Sequence, residues 1–136
     1  MSGKSVLVVT DGADKLKKIA NDIIGALKGY KVLIKDASSF EGTDLLPAEA
    51  FFFGCEKPLP SSFDYIEDLL QHINLAGRPL GVFSSNSEKA VEYLIQIAVD
   101  SDVALYPEPF FTENSGDLQK WTSKVLAGKV RQTSNF

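Results

Sequence analysis

The stretch VVTDGADKLKKIA, residues 8–20, joins the end of a hydrophobic run to a glycine turn and then to an amphipathic pattern. The run upstream, SVLVVT at residues 5–10, is short, β-branched and almost continuously apolar, which predicts a strand buried on both faces. Downstream, Leu16, Ile19, Ala20, Ile23, Ile24 and Leu27 recur at helical spacing, with Lys15, Lys17, Lys18 and Asp22 on the other side. Gly29 closes that helix. A buried strand, a tight turn and a helix in this order make the first half of a strand–helix–strand unit.

The rest of the chain repeats the alternation. Val32, Leu33 and Ile34 mark a second strand, followed by the polar loop SSFEGTD. AFFFG at residues 50–54 reads as a third strand, and Phe63, Ile66, Leu69, Leu70 and Ile73 as the stripe of a second helix. LGVFS at residues 80–84 is a fourth strand. Ser85 and Glu88 have the spacing of a capping box, with Ser85 as N-cap of a helix striped by Val91, Leu94, Ile95 and Ala98. Val103, Ala104 and Leu105 form a short fifth strand that stops at Tyr106-Pro107. A last helix carries Leu118, Trp121, Val125 and Leu126. The expected domain spans residues 1–128, and residues 129–136, which lack a pattern, are expected to be a mobile tail.

Five strands separated by crossovers, with no hairpin signal, predict an α/β fold: a three-layer, doubly wound, five-stranded parallel sheet in the order 2-1-3-4-5. In such a sheet the ligand site lies at the carboxyl ends of the strands, where the order reverses between strands 1 and 3. The candidate site residues are therefore Thr10, Asp11, Gly12, Ala13, Asp14 and Lys15 after strand 1. Gly54, Cys55, Glu56 and Lys57 follow at strand 3, and Ser84, Ser85 and Asn86 at strand 4.

Composition narrows the function classes. The chain has 136 residues and a net charge of −4, and its pI is about 4.9. An acidic chain without a Lys/Arg cluster does not suit nucleic acid, because that binding rests on phosphate neutralisation. Its longest apolar runs are far shorter than the eighteen or so residues of a membrane helix. One cysteine permits no internal disulfide, which fits a reducing, cytoplasmic setting. One histidine and one cysteine give no zinc set. Cys55 is expected as an inert packed thiol and His72 as a solvated residue near a helix end. No nucleophile–base pair can be placed at the strand ends, so a hydrolase or transferase is not expected. Asp11, Asp14 and Glu56 raise the receiver domain of response regulators, which shares this strand order. However, strand 3 ends in Gly54-Cys55 and strand 5 in Tyr106-Pro107, where the acceptor Asp and the Lys should stand. Phe110, Phe111, Glu108 and Glu113 fall in a loop of the kind that carries partner contacts, with the two phenylalanines expected to belong to the core.

From residue 5 to about residue 126 the layout resembles a short-chain flavodoxin, above all AFFFG, a proline-containing loop, and FDYIEDLLQHINLAGRPLGVFSS at residues 63–85. The resemblance implies FMN at the switch point and electron transfer to a redox partner protein. It also implies a Ser/Thr-rich first loop, roughly T-x-T-G-x-T, and aromatic residues in the later loops to stack the ring. This chain departs at both points. Its first loop offers Thr10 alone as a hydroxyl and adds Asp11 and Asp14, either of which is expected to cap the helix that follows. A phosphate dianion about 6 Å from a carboxylate meets roughly 5 kcal/mol of repulsion at an effective dielectric near 20. No aromatic stands in CEKPLPSS, and Phe63 reads as core. The residues therefore point to a degenerate flavin site on a flavin-free interaction or regulatory module, the alternative being an FMN-binding electron carrier.

Overall fold

The computed structural model describes residues 5–45, 47–57, 61–111 and 117–133, with side chains described up to residue 127. Glu113 and the last residues of the expected tail, 134–136, lie outside the described residues, as do residues 58–60 of the third loop. The strands are β1 (Ser5–Thr10), β2 (Lys31–Asp36), β3 (Ala48–Gly54), β4 (Pro79–Ser84), β5 (Ala104–Leu105) and β6 (Phe110–Phe111). The α-helices are α1 (Asp14–Ala26), α2 (Asp64–Leu70), α3 (Glu88–Ala98) and α4 (Leu118–Thr133). The sheet order is β2-β1-β3-β4-β5, with β6 also on β4, and each of these pairings is parallel. The doubly wound 2-1-3-4-5 sheet expected from the alternation is the observed one.

Three details differ from the sequence reading. The fifth strand is interrupted: Ala104 and Leu105 pair with Pro79 and Leu80, then Phe110 and Phe111 pair with Phe83 and Ser84. Between them Pro107 and Pro109 have no N–H to give a ladder. Phe110 is thereby a buried strand residue and not a loop residue, with only 6% of its surface exposed. The segment between β2 and β3, read as a polar loop, carries two short 3-10 turns, Ala37–Ser39 and Gly42–Leu45. Finally, α4 runs through Thr133, beyond the glycine where the apolar pattern stops.

The central strands β1, β3 and β4 are buried on both faces, as their β-branched and aromatic runs require, whereas the edge strand β2 leaves Leu33 and Ile34 exposed. On one face Val6, Val8, Ala50, Phe52 and Phe83 pack with Leu16, Ile19 and Ile23 of α1 and with Trp121 and Val125 of α4. On the other, Leu7, Val9, Phe51, Phe53 and Val82 pack with α2, α3 and the 3-10 turns. Ile24, expected on the α1 stripe, is 40% exposed, because it sits about 100° around the helix from the fully buried Ile23. Phe63 is core as read, its ring edge-on to Phe53 and Tyr93. Gly54 ends β3 against the ring of Phe83, where an added Cβ would lie 2.3 Å from the nearest carbon.

Candidate functional site: the carboxyl ends of β1, β3 and β4

The first loop is shaped by local hydrogen bonds. Thr10 is buried and its hydroxyl accepts the Gly12 N–H at 3.1 Å. Gly12 has φ +88°, which favours glycine, and a Cβ there would lie 2.5 Å from Oδ2 of the exposed Asp36 at the end of β2, whose side chain would have to move aside. Asp11 turns inward: one carboxylate oxygen accepts the Ala13 N–H at 3.0 Å, the other the Glu56 N–H at 2.9 Å. Asp14 turns outward, its side chain 99% exposed and 3.8 Å from Lys17 Nζ.

Neither acid caps α1, contrary to expectation. The N-cap position is Ala13, and no side chain accepts a cap bond there. Asp11 stands two residues too early, so it reaches the amide of the N-cap residue itself and the next loop of the sheet. Asp14 is the first helical residue, too late to cap. The Ala13 carbonyl takes the Leu16 and Lys17 amides at 3.0 and 3.1 Å and starts the helix.

The second half of the site joins the end of β3 to the end of β4. The Glu56 carboxylate accepts the Ser85 N–H at 2.9 Å and the Ser84 hydroxyl at 3.4 Å with one oxygen, and the Ser85 hydroxyl with the other. Ser84 and Ser85 are both buried. The Ser84 hydroxyl in turn accepts the Ser87 N–H at 3.3 Å. Ser87, not Ser85, is the N-cap of α3, accepting the Ala90 N–H at 3.1 Å. The motif SNSE contains two serines that suit a helix start, and the one nearer the strand is drawn into the sheet and spent on Glu56.

Cys55 lies beneath these contacts with no exposed surface, its sulfur 3.8 Å from the Ala90 carbonyl. Burial first, then the negative charges of Asp11 and Glu56, push its pKa up to about 12. A thiol so far from ionisation is no nucleophile at neutral pH. The same burial raises the Tyr93 hydroxyl, which donates to Glu67 at 3.0 Å. His72 is exposed just past the end of α2, Nδ1 2.9 Å from the Asp68 carbonyl.

The structure thus brings Asp11, Glu56, Ser84 and Ser85 into one hydrogen-bonded chain, with Thr10, Gly12 and Ala13 in the loop beside it and Gly54 and Cys55 packed below. Asp14, Lys15, Lys57 and Asn86 are exposed around the rim. Among the described residues, no three His, Cys, Asp or Glu side chains converge as metal ligands. Sequence reasoning missed Asp36, and it gave Ser85 the cap that Ser87 makes. Asp36 could have been found from the strand order, which puts the last residue of β2 directly beside Thr10. On the flank of the mouth, an open groove of about 620 Å³ is lined by Phe40, Glu41, Ser61, Ser62, Asp64 and the half-exposed Tyr65.

No protein-family model matches the chain, and no curated protein does. Solved structures do match. A flavodoxin of Streptococcus pneumoniae aligns with 92% of this chain and 98% of its own, at 20% identity and a TM-score of 0.75. A short-chain flavodoxin associated with a non-canonical PDU bacterial microcompartment aligns over 96% of this chain and 99% of its own, at 16% identity and a TM-score of 0.76. Oxidised flavodoxin 2 of Bacillus cereus aligns over 94% and 99%, at 18% identity and a TM-score of 0.70. The chain has the flavodoxin-like fold.

Proposed function

We propose that this protein uses the flavodoxin-like fold without a flavin, as an interaction or regulatory module for a protein partner inside the cell. One observation carries the reading. The groups that join the first loop to the ends of β3 and β4 are satisfied by one another, through Asp11 to the Ala13 and Glu56 amides and through Glu56 to Ser84 and Ser85. A flavin phosphate held by the first loop would meet the inward-facing Asp11, at the cost of roughly 5 kcal/mol estimated for a dianion about 6 Å away. Displacing Asp11 instead breaks two charge-assisted bonds worth about 1.5–3 kcal/mol each. Either cost is a large part of the roughly −12 kcal/mol of a nanomolar complex. The residues present do not fit FMN. The described part of the third loop, Cys55, Glu56 and Lys57, and the β4–α3 turn, Ser85, Asn86 and Ser87, offer no aromatic side chain for its ring.

The partner reading rests on what the mouth leaves open: the groove beside Tyr65 and an exposed rim of mixed charge that carries Asp14, Lys15 and Lys57. Nucleic acid does not suit a chain of net charge −4. No helix among the described residues is long and apolar enough to cross a membrane.

The test is the colour of the purified protein and a flavin titration. The protein is expected to be colourless, and FMN to keep its free-solution fluorescence in tens of micromolar protein. A yellow preparation, or quenching that saturates, overturns the reading in favour of an FMN-binding electron carrier. That second reading draws on the solved flavodoxins that share the fold and on the leading turn of α1, which no side chain caps.

A further inference from the structure

We infer that the end of β4 is a carboxylate-binding seat which the chain fills with its own Glu56, and that a carboxylate from outside can take its place. The inference does not depend on whether flavin binds. It rests on how the Glu56 side chain is held.

Both oxygens of that carboxylate are engaged, one by the Ser85 N–H and the Ser84 hydroxyl, the other by the Ser85 hydroxyl. Two consecutive residues thus present donors to both oxygens of one planar anion, the Ser85 N–H and hydroxyl closely and the Ser84 hydroxyl at 3.4 Å, and such bonds are charge-assisted. The donor side is built into the fold: Ser84 is the last residue of β4, paired to Phe111, and both serines are buried. Nothing in the donor set depends on Glu56 itself. Ser84 also supports the α3 entry through the Ser87 N–H, and Ser87 makes its own cap bond.

The occupant is attached differently. Glu56 stands in the loop that follows β3, is only part-buried, and is followed by an exposed residue. Its backbone N–H is held by Asp11, so the side chain can leave the seat while the loop stays in register. An incoming carboxylate restores the charge of the site where Glu56 has been removed. In the wild type it adds one charge beside the displaced Glu56 and Asp11, which favours the built-in occupant. The built-in one has the advantage of tethering, equivalent to a local concentration of the order of millimolar or more. The seat is therefore closed at rest and opens to a carboxylate that brings further contacts of its own, such as the end of a peptide chain.

The experiment removes the occupant and supplies another. Glu56→Ala is titrated with sodium acetate against sodium chloride at equal ionic strength. Melting temperature and the Ser85 amide resonance in a ¹H–¹⁵N spectrum are followed. We expect a saturable rise in melting temperature and a saturable shift of Ser85, half-complete on the order of 10 mM acetate. In the wild-type protein both responses should fall at least tenfold, and in Glu56→Ala/Ser85→Ala they should vanish. Equal responses in all three proteins, or an unmoved Ser85 resonance in a folded Glu56→Ala, would overturn the inference. Should Glu56→Ala not fold, Glu56→Gln keeps the side-chain length and one acceptor oxygen but turns its NH2 toward the donors that held the other, and acetate should still displace it. A folded Glu56→Gln with an immobile Ser85 resonance overturns the inference equally. N-acetyl-diglycine and its C-terminal amide then separate the sources. Tighter binding of the acid than of acetate assigns the seat to a chain terminus, and equal binding assigns it to small carboxylates. Equal binding of the amide to Glu56→Ala would show that the seat does not read a carboxylate at all.

Discussion

Gly54 and Glu56 stand two residues apart at the end of β3, and they belong to different kinds of structure. Gly54 is fixed by shape: the Phe83 ring fills the space that a side chain would need. Glu56 is fixed by hydrogen bonds, its amide to Asp11 and its carboxylate to Ser84 and Ser85. Cys55 lies between them, packed like the first and charged upon by the neighbours of the second. At β3 the chain is therefore specified by volume up to the last residue of the strand, and beyond it by pairing of donors with acceptors. Substitutions on the two sides of this boundary should differ in size and in kind.

The largest effect is expected at Gly54. An alanine Cβ would lie 2.3–2.6 Å from three carbons of Phe83, a ring with no exposed surface into which to retreat. Overpacking of this sort costs about 3 kcal/mol or more where the neighbour cannot move. Urea denaturation of Gly54→Ala measures it, and a loss below about 1 kcal/mol would show the strand end to be looser than its packing implies. On the polar side, Asp11→Ala removes the acceptor of two part-buried amides, those of Ala13 and Glu56. A loss of about 2 kcal/mol is expected. Asp11→Asn, which keeps one acceptor oxygen, should recover part of it. If Asp11→Ala proves as costly as Gly54→Ala, packing and hydrogen bonding are not divided at the end of β3.

That boundary is also where the sequence stops being legible. The strands up to Thr10, Gly54 and Ser84 were readable because burial on both faces leaves a continuous apolar run. The helices were readable from their stripes, and Phe63 from its place on one. The bond from Asp11 to the Glu56 amide spans 45 residues of chain, and no periodicity marks such a pairing. An acid at the head of a helix carries the same local signal whether it caps that helix or bridges to another loop. Ser85 and Ser87 were confused for a similar reason: both precede the same helix, and only the position of Glu56 decides which one is left to cap it. The break between β5 and β6 involves segments of two residues, too short for any alternation to show.

Cys55 sharpens the comparison through pH. Its folded-state pKa of about 12 lies above the ordinary value of 9.0, so the folded state holds a proton that the unfolded state releases. The thiol's contribution to stability is complete below pH 9 and is lost as pH rises from there toward 12. Over that window the slope approaches about 1.4 kcal/mol per pH unit. The difference in unfolding free energy between wild type and Cys55→Ala should therefore shrink from pH 8 to pH 10. A constant difference would show that the thiol is not shielded as its burial indicates. The two helix entries give a matched pair of somewhat smaller effects. Ser87→Ala removes the cap of α3 and should cost about 1 kcal/mol, whereas Ala13→Ser, at an extended N-cap without a side-chain bond, should gain a similar amount. A gain at Ala13 would confirm that the first loop gave up its cap in favour of the bridge to Glu56.

The smallest effect is expected at Asp14, and it bears most directly on function. Asp11 and Asp14 look equivalent in the sequence, two acids flanking one glycine turn. In the fold, one holds two amides inside the mouth, and the other is almost wholly exposed beside Lys17. An exposed i,i+3 pair of this kind contributes little to stability, and its field is screened within about a Debye length. Asp14→Asn should leave the urea midpoint unchanged within error. The same asymmetry should govern flavin. Asp11→Thr, if it folds, removes the inward charge and should raise any measurable FMN affinity, whereas Asp14→Thr should not move it. Equal gains from the two substitutions would mean that the repulsion comes from the acidity of the rim as a whole, and the inward turn of Asp11 would then explain the architecture of the mouth but not its selectivity.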